Sequence, residues 1–255
     1  MLLNNMSIFA MIGVNMGYDS QANQSMHAGQ IAVVHAEPKI IGAFLKKVYS
    51  LFFFGIVIFA GVAALSTSFF IKKPELISKL WLGALIGWMV LSFLVGRMLV
   101  NPKRGFLALV LFAIGEGVIF GPLLALAYYV SGGWTIVGQA IILTVLVFGG
   151  LTAYVLITKE DFTFLGGFLS IVGVFLIGVV LLTWIFGFPS GNIFGILIPA
   201  VFVLFFSLYV LYDTSVIMRK LPQEYAAAGA AMLFLDFAGL LYYIIILLLS
   251  LTGRD

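Results

Sequence analysis

The sequence has no cysteine, and its only two histidines, His27 and His35, stand upstream of the first long apolar run. The missing thiols exclude disulfides, Cys-ligated metals and a thiol nucleophile, and they leave the redox compartment unspecified. The position of the histidines excludes a His-based metal centre or a Ser–His catalytic pair inside the apolar segments. Charge is also scarce: 9% of residues are Asp, Glu, Lys or Arg, where a soluble domain carries about a quarter. The net charge of +3 is small and implies no nucleic-acid surface.

What the chain has instead is hydrocarbon, with 63% of its 255 residues hydrophobic. The apolar runs are continuous and long, unlike the weakly alternating ten-residue segments of an outer-membrane barrel. They predict an all-α integral membrane protein with seven transmembrane helices, over 48–71, 78–100, 105–130, 134–157, 163–187, 192–218 and 226–251. At 1.5 Å per residue each reaches about 35–40 Å, enough to cross a bilayer with some tilt. The connections carry turn chemistry: Lys72-Lys73-Pro74-Glu75, Asn101-Pro102-Lys103-Arg104, Ser131-Gly132-Gly133, Lys159-Glu160-Asp161, Pro189-Ser190-Gly191-Asn192 and Arg219-Lys220-Leu221-Pro222. None has room for a soluble domain. Gly83–Gly87, Gly117–Gly121 and Gly191–Gly195 are small-xxx-small pairs and read as helix packing.

Residues 1–44 form a polar tail and 45–255 the transmembrane domain. The opening MLLNNMSIFAMIGV lacks a preceding basic residue, so it reads as tail and not as a cleaved signal. One side of the membrane would hold Lys39, Lys46, Lys47, Arg97, Lys103, Arg104, Lys159, Arg219 and Lys220. The other would hold Lys72, Lys73, Lys79 and Arg254. Nine against four predicts a cytoplasmic N-terminus, and an odd number of spans sends the C-terminus outside.

Three acids fall within the apolar runs. Asp213 lies in FVLFFSLYVLYDTSVIM, and Asp236 in AAAGAAMLFLDFAGLLYYIIILLL. A carboxylate at the bilayer centre costs about 2.5–3.5 kcal/mol on insertion scales, so two on neighbouring helices call for a partner, a cavity or a permeating ion. The short turn between these helices makes them antiparallel and adjacent, and contact between the acids is feasible. Two carboxyls so placed are expected to share a proton and titrate as a unit. That is a proton-operated latch: sharing holds the helices together, and loss of the proton drives them apart unless a cation arrives. Hard oxygen ligands suit Ca²⁺, so Asp213 and Asp236 are also the candidate transient metal contacts, with no resident cofactor. The plainer reading makes each aspartate helix-to-helix glue, bonded to Tyr209, Tyr212 or a backbone carbonyl. Glu116, in GEGVIFGPL ahead of Pro122, either lines a cavity beside a bent helix or hydrogen-bonds a neighbouring one. Arg97 either snorkels to the interface or serves as counter-charge to Asp213.

The stretches LYVLYDTSVIMRK and AAMLFLDFAGLLYYIIILLLSL resemble the signature of the Bax inhibitor-1 family, with the bacterial branch most similar. KEDFTFLGGFL, EGVIFGPLL and the terminal GRD are similar to further family blocks. The resemblance covers about residue 40 to the end. It implies seven helices with the last one central and enclosed by the others, and a pH-sensitive cation leak best described for Ca²⁺. The family's paired aspartates fall on Asp213 and Asp236. The family's basic latch residue on helix two has Arg97 as its one candidate. A bacterial inner membrane, the lipid bilayer, a cation and other membrane proteins are the implied surroundings and partners.

Two other classes compete. An intramembrane aspartyl protease also needs two membrane aspartates, and Tyr212-Asp213 supplies half its pattern. However, Asp236 follows Phe234-Leu235 in place of Gly-x-Gly, and no Pro-Ala-Leu follows. A non-conducting regulator that binds membrane proteases or other membrane proteins is compatible with every feature above. A retinal protein is excluded, because residues 226–251 hold no lysine. No internal repeat suggests a secondary transporter.

Overall fold

The computed structural model describes residues 38–252 except 100 and 187–191. The tail expected at 1–44, its two histidines, the Pro189–Gly191 turn and the terminal GRD therefore lie wholly or largely outside the described residues. Those described form seven α-helices and no strand: α1 (Pro38–Lys72), α2 (Glu75–Leu99), α3 (Gly105–Ser131), α4 (Thr135–Thr158), α5 (Leu165–Phe186), α6 (Asn192–Arg219) and α7 (Ala226–Thr252).

The helix ends fall within a few residues of the expected ones, apart from the start of α1. That helix begins at Pro38, ten residues before the apolar run does. Proline suits a first helical turn, where its missing N–H is not needed. The extra turns bury Phe44 and Val48 and extend one continuous stripe through Phe52, Gly55, Phe59, Ala63, Thr67 and Phe70. A buried residue every third or fourth position is the mark of a helix with a single packed face.

Five stretches are long and apolar enough to cross a membrane: Ile40–Lys72, Gly105–Ser131, Thr135–Thr158, Ile193–Arg219 and Gln223–Thr252. The shorter apolar helices Ile86–Leu99 and Leu165–Val179 lie within α2 and α5. The seven expected spans are thus seven helices, five of which meet the length and hydropathy of a span among the described residues. An integral membrane protein follows from these five.

α7 packs against α1, α3, α4 and α6. Every residue from Ala228 to Leu241 on it is buried, as expected of a helix apolar on all sides. By contrast α2 rests chiefly on α3, and α5 on α6. Rings fill the centre: Phe234 of α7 meets Phe59 at 5.7 Å and Phe112 at 6.0 Å, and Phe237 meets Phe52 and Phe148 at 6.0 and 5.6 Å.

Of the small-xxx-small pairs, Gly117–Gly121 brings helices together. A Cβ on Gly117 would lie 2.8 Å from Val62, and one on Gly121 would lie 2.0 Å from the Ser66 hydroxyl, both on α1. Gly83, Gly87 and Gly195 have nothing within 4 Å of a built Cβ. Their spacing reflects composition, and Gly191 lies outside the described residues. The close approach at Gly121 serves Pro122. Proline lacks the N–H that would bond the carbonyl four residues earlier, and the freed oxygen is that of Val118. The Ser66 hydroxyl donates to it at 3.0 Å. α3 therefore runs as helix through Pro122.

Candidate functional site

α6 ends where Lys220 and Leu221 both donate their N–H to the Val216 carbonyl, at 2.8 and 3.0 Å. Pro222 and a single 3-10 turn, Gln223–Tyr225, then start α7. So short a connection forces the two helices antiparallel and side by side, and this puts Asp213 and Asp236 face to face. Both have no exposed surface. Neither oxygen of Asp213 meets an N–H or O–H donor among the described residues. Its polar neighbour is the Asp236 carboxyl, placed for a side-chain hydrogen bond. Two ionised carboxylates are both acceptors, so that bond exists only when one of them holds a proton. The buried geometry thus requires a proton on at least one of the two carboxyls for them to bond.

Tyr209, buried one turn before Asp213, lies in the field of both carboxyls, and Tyr212 in that of Asp213. Tyr212 also packs on α5, where a Cβ on Gly166 would fall 2.8 Å from its hydroxyl. Phe234 and Phe237 flank Asp236 in sequence and tie it into the central rings.

Arg97 is not part of this pair. It is exposed, and its guanidinium lies 4.5 Å from the ring centre of Phe93, one turn earlier on its own helix. α2 packs chiefly on α3, and the contact found for the Arg97 guanidinium is with its own helix, not with either aspartate. Glu116 is buried and accepts a hydrogen bond from Nε1 of Trp88 on α2 at 3.1 Å. This joins α2 to α3 away from the aspartates. Among the described residues no three His, Asp or Glu side chains converge to hold a metal. A cation at Asp213 and Asp236 would therefore complete its shell with carbonyls or water.

The structure adds a strap near Asp213. The loop after α4 begins at Lys159, whose φ of 55° is left-handed. Arg219 donates to the Lys159 carbonyl and pairs with Asp161 at 3.8 Å. Buried Ser215 accepts from the Phe162 N–H at 3.1 Å and donates to the Glu160 carbonyl at 3.4 Å. The Asp161 carboxyl sits below its usual range because Thr163 donates its backbone N–H at 2.9 Å and its hydroxyl, with Arg219 and Lys220 adding charge. The loop is thereby fastened to α6 within two residues of Asp213. The visible signal was Thr214-Ser215, two hydroxyls in an otherwise apolar turn.

Fold and site together define a polytopic helical membrane protein with an acidic pair between its last two helices. Comparison with known proteins shows the family. Residues 41–253 match the family described as Inhibitor of apoptosis-promoting Bax1, and the chain belongs to this Bax inhibitor-1 family. It is 31% identical over 217 residues to Bax inhibitor 1 of Schizosaccharomyces pombe, covering 84% of this chain and 78% of that one. It is 32% identical over 216 residues to YccA of Escherichia coli, the modulator of FtsH protease, covering 82% and 89%. An uncharacterised protein of Campylobacter jejuni is 30% identical over 225 residues, covering 84% and 91%.

Proposed function

We propose that this protein is a proton-operated switch in a bacterial inner membrane that lets cations, Ca²⁺ foremost, leak down their gradient, with Asp213 and Asp236 as its sensor. In this reading seven helices cross the bilayer around α7, the N-terminus is cytoplasmic and the C-terminus is outside. The observation that carries it is the contact of two buried carboxyls that can bond only through a shared proton. Two unit charges about 4 Å apart repel by about 4 kcal/mol at an effective dielectric near 20. Losing the shared proton therefore converts a bond between α6 and α7 into a force that parts them, and a divalent cation relieves it. The test is Ca²⁺ uptake into proteoliposomes across pH 6–8. Asp213→Asn and Asp236→Asn should each flatten the pH dependence, and a wild-type response in both would refute the sensor.

A second reading is favoured by the 32% identity to the modulator of FtsH protease: a non-conducting regulator of a membrane protease. α5 suits it, since Phe168, Ile171 and Phe175, with Phe164 just before the helix, are exposed apolar side chains at four- and three-residue intervals. Co-reconstitution with a membrane protease separates the two, because a regulator changes substrate turnover in vesicles that show no flux. Relatives named inhibitor and modulator favour a non-enzymatic role. Cleavage of helical reporter peptides that stops on mutating either aspartate would argue instead for a protease.

A further inference from the structure

A third buried acid, Glu116, stands on α3, away from the aspartate pair. Glu116 is 1% exposed, and the described residues around it offer no compensating cation. α1 meets the adjoining Gly117 through Val62 and the Phe59 carbonyl, and α2 supplies Leu91 beside Gly115 and the Trp88 indole. From α7 comes Tyr242, the titratable neighbour among the described residues, which lies in the field of the Glu116 carboxyl. The Lys, Arg, Asp and Glu residues of α1 and α2 stand near the ends of those helices, and α4 has none. One indole N–H is a thin supply of donors for a carboxylate, which can accept about four hydrogen bonds. Such a group is held in hydrocarbon at low cost only with a proton on it.

Farther along α3, and not lined by Glu116 itself, is a cleft of about 480 Å³ between α2, α3 and α7, lined among others by Pro122, Leu126, Tyr242, Ile246 and Ser250. Tyr242 belongs to both places, in the field of Glu116 and in the wall of the cleft. Six residues separate Glu116 from Pro122, about 9 Å along α3. The cleft extends from there toward the C-terminal ends of α3 and α7. Asp213, by contrast, sits toward the opposite end, six residues from the last residue of α6.

We propose that Glu116 is a proton-binding site separate from the aspartate pair, exchanging through the Tyr242-lined cleft with the membrane face at the C-terminal ends of α3 and α7. The proposal does not rest on the pair acting as a sensor, and its reporter is built in, because Trp88 is bonded to the group that titrates. The full chain carrying Trp81→Phe, Trp134→Phe and Trp184→Phe keeps Trp88 as its one tryptophan, read by exciting at a wavelength that tyrosine does not absorb. In nanodiscs, its emission should show a one-proton transition between pH 4 and 10. Glu116→Gln, which keeps an acceptor oxygen for the indole, should abolish that transition. Glu116→Asp should keep a transition at a shifted midpoint, and Asp213→Asn should leave it in place. A flat wild-type emission, a transition that survives in Glu116→Gln, or its loss in Asp213→Asn would overturn the proposal. If Glu116→Gln fails to elute as a folded monodisperse species, Glu116→Asp decides, and an unmoved midpoint refutes it. The route has its own test, since the chain has no other thiol: Ser250→Cys labelled with a bulky maleimide should slow the emission response to a pH jump at least tenfold. The same rate before and after labelling would refute access through the cleft.

Discussion

Gly239→Ala tests whether the contact between α6 and α7 controls the acidic pair without touching either acid. Gly239 follows Asp236 by one turn. A Cβ there would lie 2.4, 2.5 and 2.6 Å from three atoms of the Phe206 ring, where ordinary contact is about 3.5–4.0 Å. Phe206 has no exposed surface, and its ring lies 5.8 Å from that of Tyr243 and 5.6 Å from that of Phe205. The ring has no room to swing aside, so the helices must separate by about 1 Å. Overpacking of this kind costs up to about 3 kcal/mol, and alanine offsets about 1 kcal/mol as the better helix former. The net loss is about 2 kcal/mol, or a fall of about 4–8 °C in melting temperature for a chain of this size. Gly150→Ala is the control, because nothing lies within 4 Å of its built Cβ. It should leave stability unchanged or raise it by up to about 1 kcal/mol. Thermal melts in detergent measure both, and Ca²⁺ uptake at neutral pH should rise in Gly239→Ala alone. Equal melting temperatures and equal uptake in the two variants would refute the reasoning.

The other predictions concern contacts around this centre. Ser66→Ala should cost about 0.6–1.7 kcal/mol in the wild type and close to nothing in a Pro122→Ala background. There the restored N–H takes up the Val118 carbonyl, and a double-mutant cycle by denaturation reads the difference. Ser215→Ala should free the 159–164 loop more than Arg219→Ala does, as judged by amide exchange. The buried serine makes two hydrogen bonds worth about 1 kcal/mol each, while both Arg219 contacts, the ion pair with Asp161 and the bond to the Lys159 carbonyl, are solvent-exposed, and the ion pair is worth less than about 1 kcal/mol. The Asp161 carboxyl is held below its usual range by Thr163. Its fastening of the loop is therefore fully present above the ordinary carboxylate range and fades as pH falls through its lowered value. Loop exchange should rise on acidification in the wild type and lose that dependence in Asp161→Asn. Arg97→Glu should leave the resting leak unchanged, and a raised leak would return Arg97 to the latch.

The helices were legible in the order of residues, because backbone groups in hydrocarbon must bond within their own segment and an apolar run admits little else. That order also singled out Asp213, Asp236 and Glu116, since a buried acid stands out wherever the surroundings are uniformly apolar. A short turn with one proline was enough to make α6 and α7 neighbours. Tertiary structure alone decided which flank of each helix faces which partner. Depth follows from counting residues, but rotation about the bundle axis depends on how all the helices pack. Arg97 was expected at the depth of Asp213 and instead stacks on Phe93 of its own helix, while Glu116 met Trp88. The Ser66–Val118 bond and the strap on Ser215 join residues more than fifty positions apart. No local pattern encodes contacts of that kind, because they arise only once the surrounding helices have been brought together.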